Sequence, residues 1–166
     1  FKEWGYEVAK NEFNAKKNTL GFYEIPTDKK IDAINKKIVI KDMITDAFLQ
    51  EVLLNPKEHD VVATLNLNGD YASDALAAQV GGIGISPGAN MSDTASIFEA
   101  THGTAPNIAG KNLANPSSLI LSAQMMLEYM GWTEASYVIS GAFEKTLKEN
   151  KFTTDLASQI SGCQSL

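Results

Sequence analysis

The sequence predicts an α/β fold, and three observations predict it. Two β-branched runs, Lys37-Ile38-Val39-Ile40 and Asp60-Val61-Val62-Ala63-Thr64-Leu65, are each followed by a stretch with apolar residues at helical spacing. Gly81-Gly82-Ile83-Gly84 resets the composition and marks a boundary between two units, placed as 1–80 and 81–166. Beyond it, two strongly amphipathic segments flank Gly131 after a further strand candidate.

Phe1 to Asn14 carries Trp4, Val8 and Phe13 on a helical pattern, and the Asn/Lys-rich stretch to Asn18 ends it. Gly21 to Asn35 mixes aromatics with Lys and Asp around Pro26, as an exposed hairpin or irregular excursion does. The run at Lys37 leads into a helix from Asp42, with Met43, Ile44, Ala47, Phe48 and Val52 on one face and Pro56 closing it. Asp60 to Leu65 has the near-continuous apolar character of a strand covered on both faces, and Asp70 to Val80 reads as the next helix. Ala95 to Ala100 is another strand. Asn115-Pro116 opens a helix with Leu119, Ala123, Met126, Leu127 and Met130 on one face and Gly131 as its stop. From Thr133, the positions Ala135, Val138, Ile139, Ala142, Phe143 and Leu147 form a second helix, and both are expected to pack on the strands.

Composition narrows the function. The 166 residues carry a net charge of −6, and all fourteen cationic side chains are scattered lysines, which disfavours a nucleic-acid surface. Cys163 has no partner, so there is no disulfide framework and a cytoplasmic location is expected. No apolar run approaches the roughly 20 residues a membrane-spanning helix needs, so no membrane partner is expected. The chain starts at Phe1 rather than Met, and we expect it to be an excerpt of a longer protein.

Asn68-Gly69-Asp70-Tyr71-Ala72-Ser73-Asp74 places two carboxylates four apart where a helix follows an apolar run, so both face one way. Two hard oxygen donors on one face suit a divalent cation such as Mg²⁺, and Asp46, four residues after Asp42, is a candidate third donor. The alternative is that Asp70 caps its helix and the others are solvated. The segment Glu99 to Lys111 surrounds His102 with small residues that let backbone N–H groups approach a flat polar ligand or a phosphate; an ordinary turn with a surface histidine is the plainer account. Asn115 is equally explained as a helix cap. The glycines at 81, 82, 84 and 88 do not form a dinucleotide-binding fingerprint, and no nucleophile elbow, P-loop or Cys-x-x-Cys is present.

The stretches Lys41 to Gln50, Asn66 to Tyr71, Ala75 to Gly84 and His102 to Pro106 together resemble the bacterial homodimeric isocitrate dehydrogenases, among the β-decarboxylating dehydrogenases. Relatives acting on isopropylmalate differ around Asn68–Tyr71 and Ala75–Val80. The resemblance implies the isocitrate/isopropylmalate dehydrogenase-like fold, which is not a Rossmann fold. In it, 1–80 belongs to a small dimer-forming domain and 81–166 to a large domain with the cofactor loop. It implies that Asp70 and Asp74 bind Mg²⁺ or Mn²⁺ while Asp46 reaches the same ion from the other subunit of a homodimer. It also implies that Glu99, Thr101, His102, Gly103, Thr104, Ala105, Pro106, Asn107, Ile108 and Asn115 line the cofactor site. The expected reaction is metal-dependent oxidation of isocitrate to 2-oxoglutarate and CO₂.

A tricarboxylate needs cationic, preferably bidentate donors, and this chain has no arginine. The resemblance places the substrate arginines, the catalytic lysine and the tyrosine upstream of Phe1, so the segment alone is expected to be inactive. Where NADP-using members carry cations and phenols for the 2′-phosphate, this chain has Asn107, Ile108, Thr154 and Ser158, from which we expect NAD to be preferred over NADP. Related activities on isopropylmalate or tartrate, and a non-catalytic dimerising subunit, are the alternatives.

Overall fold

The structure is a computed structural model that describes residues 1–26 and 37–160. Its contacts divide the chain into Phe1–Ala72 and Ser73–Leu166, with the division falling inside one helix. Much of the expected Gly21–Asn35 excursion, and Cys163, lie outside the described residues. Among the described residues, every strand pairing is antiparallel, and no helix is long and apolar enough to cross a membrane.

In the first unit, α1 (Lys2–Phe13) buries Tyr6 and Ala9. It ends as the sequence predicts: Asn14 takes the left-handed conformation at φ 53°, and the Ala15 N–H closes on the Ala9 carbonyl at 2.9 Å. Asn18 then builds a turn, its Oδ1 accepting from the N–H groups of Leu20 (2.9 Å) and Phe22 (3.0 Å). The sheet that follows has β2 (Tyr23–Ile25) between β1 (Lys16–Lys17) and β3 (Ile38–Ile40). Helix α1 rests on β2, where the Tyr6 and Tyr23 rings lie 4.7 Å apart.

Helix α2 (Thr45–Leu54) starts three residues later than expected, because Asp42 is held outside it. The Tyr6 hydroxyl donates to Asp42 Oδ1, and the Lys2 ammonium lies 2.9 Å from Oδ2. Of the predicted apolar face only Val52 is buried, while Phe48 meets His59 edge-on at 5.6 Å.

The expected strand at Asp60–Leu65 is absent. A strand needs a partner for its backbone groups, and these residues have none in a ladder: Val61 is 89% exposed and Leu65 60%. Helix α3 (Asn66–Gln79) begins four residues before Asp70, its first turn closed by the Gly69 N–H on the Leu65 carbonyl at 2.9 Å. Asp70 is therefore not a cap.

In the second unit, Gly81 (φ 123°) and Gly82 (φ 101°) end α3 in conformations that side chains resist, and the Gly82 N–H bonds the Ala77 carbonyl at 2.8 Å. A hairpin follows, β4 (Pro87–Met91) with β5 (Ser96–Ala100). The sequence predicts β5 but not β4, whose opening Pro-Gly pair carries little strand propensity. Helix α4 (Ser117–Tyr129) packs on both strands, and α5 (Thr133–Lys148) packs chiefly on α4, not on the strands as expected. Gly131 (φ 79°) stops α4 as predicted. The short α6 (Thr154–Gln159) buries Leu156.

The face that α4 buries is not the predicted one. Leu119 is 58% exposed and Met130 46%, whereas Ser118 and Ser122 are fully buried. Their hydroxyls meet the backbone of the hairpin. Ser118 Oγ donates to the Ser86 carbonyl and accepts from the Thr101 N–H at 3.1 Å. Ser122 Oγ accepts from the Gly88 N–H at 3.1 Å and reaches the Glu99 carbonyl at 2.7 Å. The hairpin interior is tight enough that a Cβ on Gly88 would stand 2.9 Å from the Glu99 carbonyl oxygen. Backbone polar groups under a helix must be paired, and a serine does this where a leucine would only cover them.

Candidate functional site

The three predicted acids occupy helices. Asp46 lies exposed in the first turn of α2, where its Oδ1 accepts from the Ala47 N–H at 2.7 Å. Asp70 and Asp74 are exposed and one helical turn apart on α3, so their carboxylates share a face. Asn66 Nδ2 donates to Asp70 Oδ2 at 3.1 Å. Within one chain, no group of three or more His, Cys, Asp and Glu residues among those described could hold an ion. The acids on α3 supply hard oxygen donors of the kind Mg²⁺ and Mn²⁺ take, and a third donor would have to come from elsewhere.

The predicted cofactor residues run from the end of β5 to the start of α4. Glu99 is on β5, where its carboxylate accepts from Asn90 Nδ2 across the hairpin at 2.7 Å. Thr101 ties the start of the loop down: its hydroxyl donates to the Ser86 carbonyl at 2.9 Å and its N–H to Ser118. His102 is half-buried, with Nδ1 2.9 Å from the Gly103 carbonyl. Gly103 and Thr104 are exposed, and Ala105 is in the left-handed region at φ 42°, which an alanine adopts only when its surroundings impose it. Pro106, Asn107 and Ile108 form a single 3₁₀ turn.

Asn115 is buried, and each end of its amide makes one hydrogen bond. Its Oδ1 accepts from the Ser117 N–H at 2.9 Å, but the cap position expected for it is held by Pro116, one residue on. Its Nδ2 donates to Asp155 Oδ2 on α6, also at 2.9 Å. Burial pushes the Asp155 carboxyl up, but the donors turned on it, the Asn115 amide among them, outweigh this and hold it below the usual carboxylate range. The sequence reading missed Asp155, Ser118 and Ser122. Two serines four apart on a predicted helix, directly after Asn-Pro, were the available signal for the last two; Asp155 carried none.

The chain belongs to the isocitrate/isopropylmalate dehydrogenase family, whose pattern matches residues 8–166. It is 55% identical over 164 residues to the isocitrate dehydrogenases [NADP] of Helicobacter pylori and Coxiella burnetii, and 60% identical over 141 residues to isocitrate dehydrogenase [NADP] 1 of Colwellia maris. The first two matches take in 99% of this chain and 38% of each relative's length; the third takes in 85% and 33%. The crystal structure of isocitrate dehydrogenase from Methylococcus capsulatus superposes with a TM-score of 0.73 at 34% identity, covering 94% of this chain and 40% of that one. The α/β fold of the family is thus established.

The expected preference for NAD is overturned, because these relatives are named for NADP. The expectation counted missing cations at Asn107, Ile108, Thr154 and Ser158. A phosphate can also be held by neutral donors, and an amide, two hydroxyls and the backbone N–H groups of the loop are all of that kind.

Proposed function

We propose that this chain is part of a metal-dependent isocitrate dehydrogenase that oxidises and decarboxylates isocitrate to 2-oxoglutarate and CO₂, with hydride transfer to NADP. The observation that carries this is the 55% identity to isocitrate dehydrogenases [NADP] over 99% of the chain. Asp70 and Asp74 of one subunit, with Asp46 of the other in a homodimer, would hold Mg²⁺ or Mn²⁺. Bound there, the ion supplies positive charge beside the substrate's hydroxyl and carboxylate oxygens. The carboxylates themselves would fix where that charge sits. Glu99, Thr101 and the loop His102–Ile108 would line the adenosine half of the cofactor site, with Asn115 beside them. Thr101 fixes the near end of that loop through Ser86 and Ser118, so its backbone donors are ordered before a ligand arrives. The arginine-free chain contributes no guanidinium clamp for three carboxylates, and in this proposal the clamp belongs to the part of the relatives' length that the chain does not span.

The complete enzyme should form NADPH from isocitrate only with Mg²⁺ or Mn²⁺ present. Asp70→Asn and Asp74→Asn should each lower kcat/KM by about two orders of magnitude, the scale of losing one preorganised charge. Turnover of isopropylmalate or tartrate but not isocitrate, or no metal-dependent binding of isocitrate to a folded dimer, would overturn the proposal.

A further inference from the structure

The structure assigns Asp155 as a positioning residue that fixes the orientation of the Asn115 side-chain amide; the assignment rests on the proposed cofactor role of Asn115. An asparagine amide presents a donor on one side and an acceptor on the other, and rotating it by half a turn exchanges them. At Asn115 both ends are specified by groups that cannot exchange roles. A backbone N–H, that of Ser117, faces Oδ1 and can only donate, while an ionised carboxylate, that of Asp155, faces Nδ2 and can only accept, each at 2.9 Å. Asn115 is 8% exposed, so water does not compete for either end. The one remaining N–H and the one remaining lone pair of the amide therefore point in fixed directions, as discrimination between the donor and acceptor edges of a purine requires.

Asp155 can do this because α6 is itself anchored. Leu156 is buried, with its Cδ2 3.3 Å from where a Cβ on Gly81 would stand, and Gln159 Nε2 reaches the Gly81 carbonyl at 3.2 Å. Gly84 completes the arrangement. A Cβ there would stand 3.2 Å from Asp155 Oδ2 and 3.3 Å from Asn115 Cβ, and the Gly84 carbonyl accepts from the Ser118 N–H at 2.9 Å. The turn after α3, the start of α4 and α6 thus meet at one amide and one carboxylate.

The test uses the complete enzyme. Asp155→Ala should raise the KM for NADP and the inhibition constant of adenosine 2′,5′-bisphosphate, which carries only the adenosine half, by the same factor of about ten, the scale of one lost hydrogen bond. The KM for isocitrate and kcat should stay within about twofold, since neither involves the adenosine half. Asp155→Asn keeps an acceptor for Asn115 and should recover most of the affinity. Hydrogen exchange at the Ser117 N–H, which loses a fixed acceptor when the amide can turn, should quicken in Asp155→Ala but not in Asp155→Asn, and this readout needs no cofactor. Unchanged inhibition in Asp155→Ala, or an Asp155→Asn variant as impaired as the alanine, would overturn the assignment while leaving the enzyme's activity intact. A wild-type enzyme that neither reduces NADP nor binds the bisphosphate would overturn the functional proposal and this assignment together.

Discussion

Replacing Ser122 with alanine removes one oxygen from the interior and leaves the space otherwise filled. That oxygen serves the Gly88 N–H at 3.1 Å, and its proton is shared between the Glu99 and Ser118 carbonyls, each at 2.7 Å. A hydroxyl has a single proton, so at any instant it satisfies one carbonyl and one N–H. In Ser122→Ala the Gly88 N–H loses its hydroxyl acceptor beneath α4, and the Glu99 carbonyl loses a donor. A buried group left unpaired costs about 1–3 kcal/mol, so the two together are expected to destabilise by about 2–3 kcal/mol. The loss is local, and it is best read by amide hydrogen exchange. The Gly88 amide should exchange about thirtyfold faster for a local cost of about 2 kcal/mol, while the Thr101 amide, held by Ser118 rather than Ser122, keeps most of its protection. Ser118→Ala should show the converse pattern. Ser140 is the control: its hydroxyl bonds only the carbonyl one turn back, at 3.2 Å, and Ser140→Ala should be nearly neutral. Unchanged protection at Gly88 in Ser122→Ala would refute the claim that serine hydroxyls pair the hairpin backbone to α4.

Three further predictions concern the first unit and the proposed dimer. Burial, and after it the hydrogen bond to Asp42, push the Tyr6 phenol up to about 12 from an ordinary 10.0. The unfolded chain therefore loses this proton first: the Tyr6 contribution to stability is complete below pH 10 and is lost as pH rises towards 12, and Tyr6→Phe should flatten that alkaline decline in thermal unfolding. At the other end, the Tyr6 hydroxyl and then Lys2 hold Asp42 below the usual carboxylate range, so its contribution is present above about pH 4 and fades as pH falls through the lowered value. If the metal site is shared between subunits, Asp46→Asn and Asp70→Asn homodimers should both be nearly inactive. Random re-association of the two would restore about a quarter of wild-type activity, because half the dimers are mixed and each mixed dimer holds one intact site. No recovery on mixing would refute the shared site.

The parts of the fold legible in the sequence are those decided within a few residues. The end of α1 at Asn14, Gly131 after α4 and the helix following Asn115-Pro116 all follow from local chemistry, and the structure has each of them. The errors lie where a distant partner decides. Val61 and Val62 have strand propensity, but among the described residues no strand pairs with them, and propensity does not supply one. On α4 the apolar stripe at Leu119 and Met130 is real, yet what packs on the hairpin is the serine stripe beside it. Hydrophobic periodicity locates the helix and cannot see that the surface it meets consists of unpaired peptide groups.

The candidate site divides along the same line. Asp70 and Asp74 share a helical face by arithmetic that needs only their spacing, and α3 runs through both. Asp155 is forty residues from Asn115, and nothing around it in sequence marks it as that amide's partner. The cofactor preference failed for a related reason. Side chains missing from four positions do not exclude a 2′-phosphate, because a phosphate is held by whatever donors the fold delivers, including backbone N–H groups that every residue but proline carries. A residue that is present restricts chemistry directly; an absent one restricts it only if no other element can reach the same ligand. This chain spans 38% of its relatives' length, so the remaining length can supply donors to the same ligand, and four missing cations do not decide between the two cofactors.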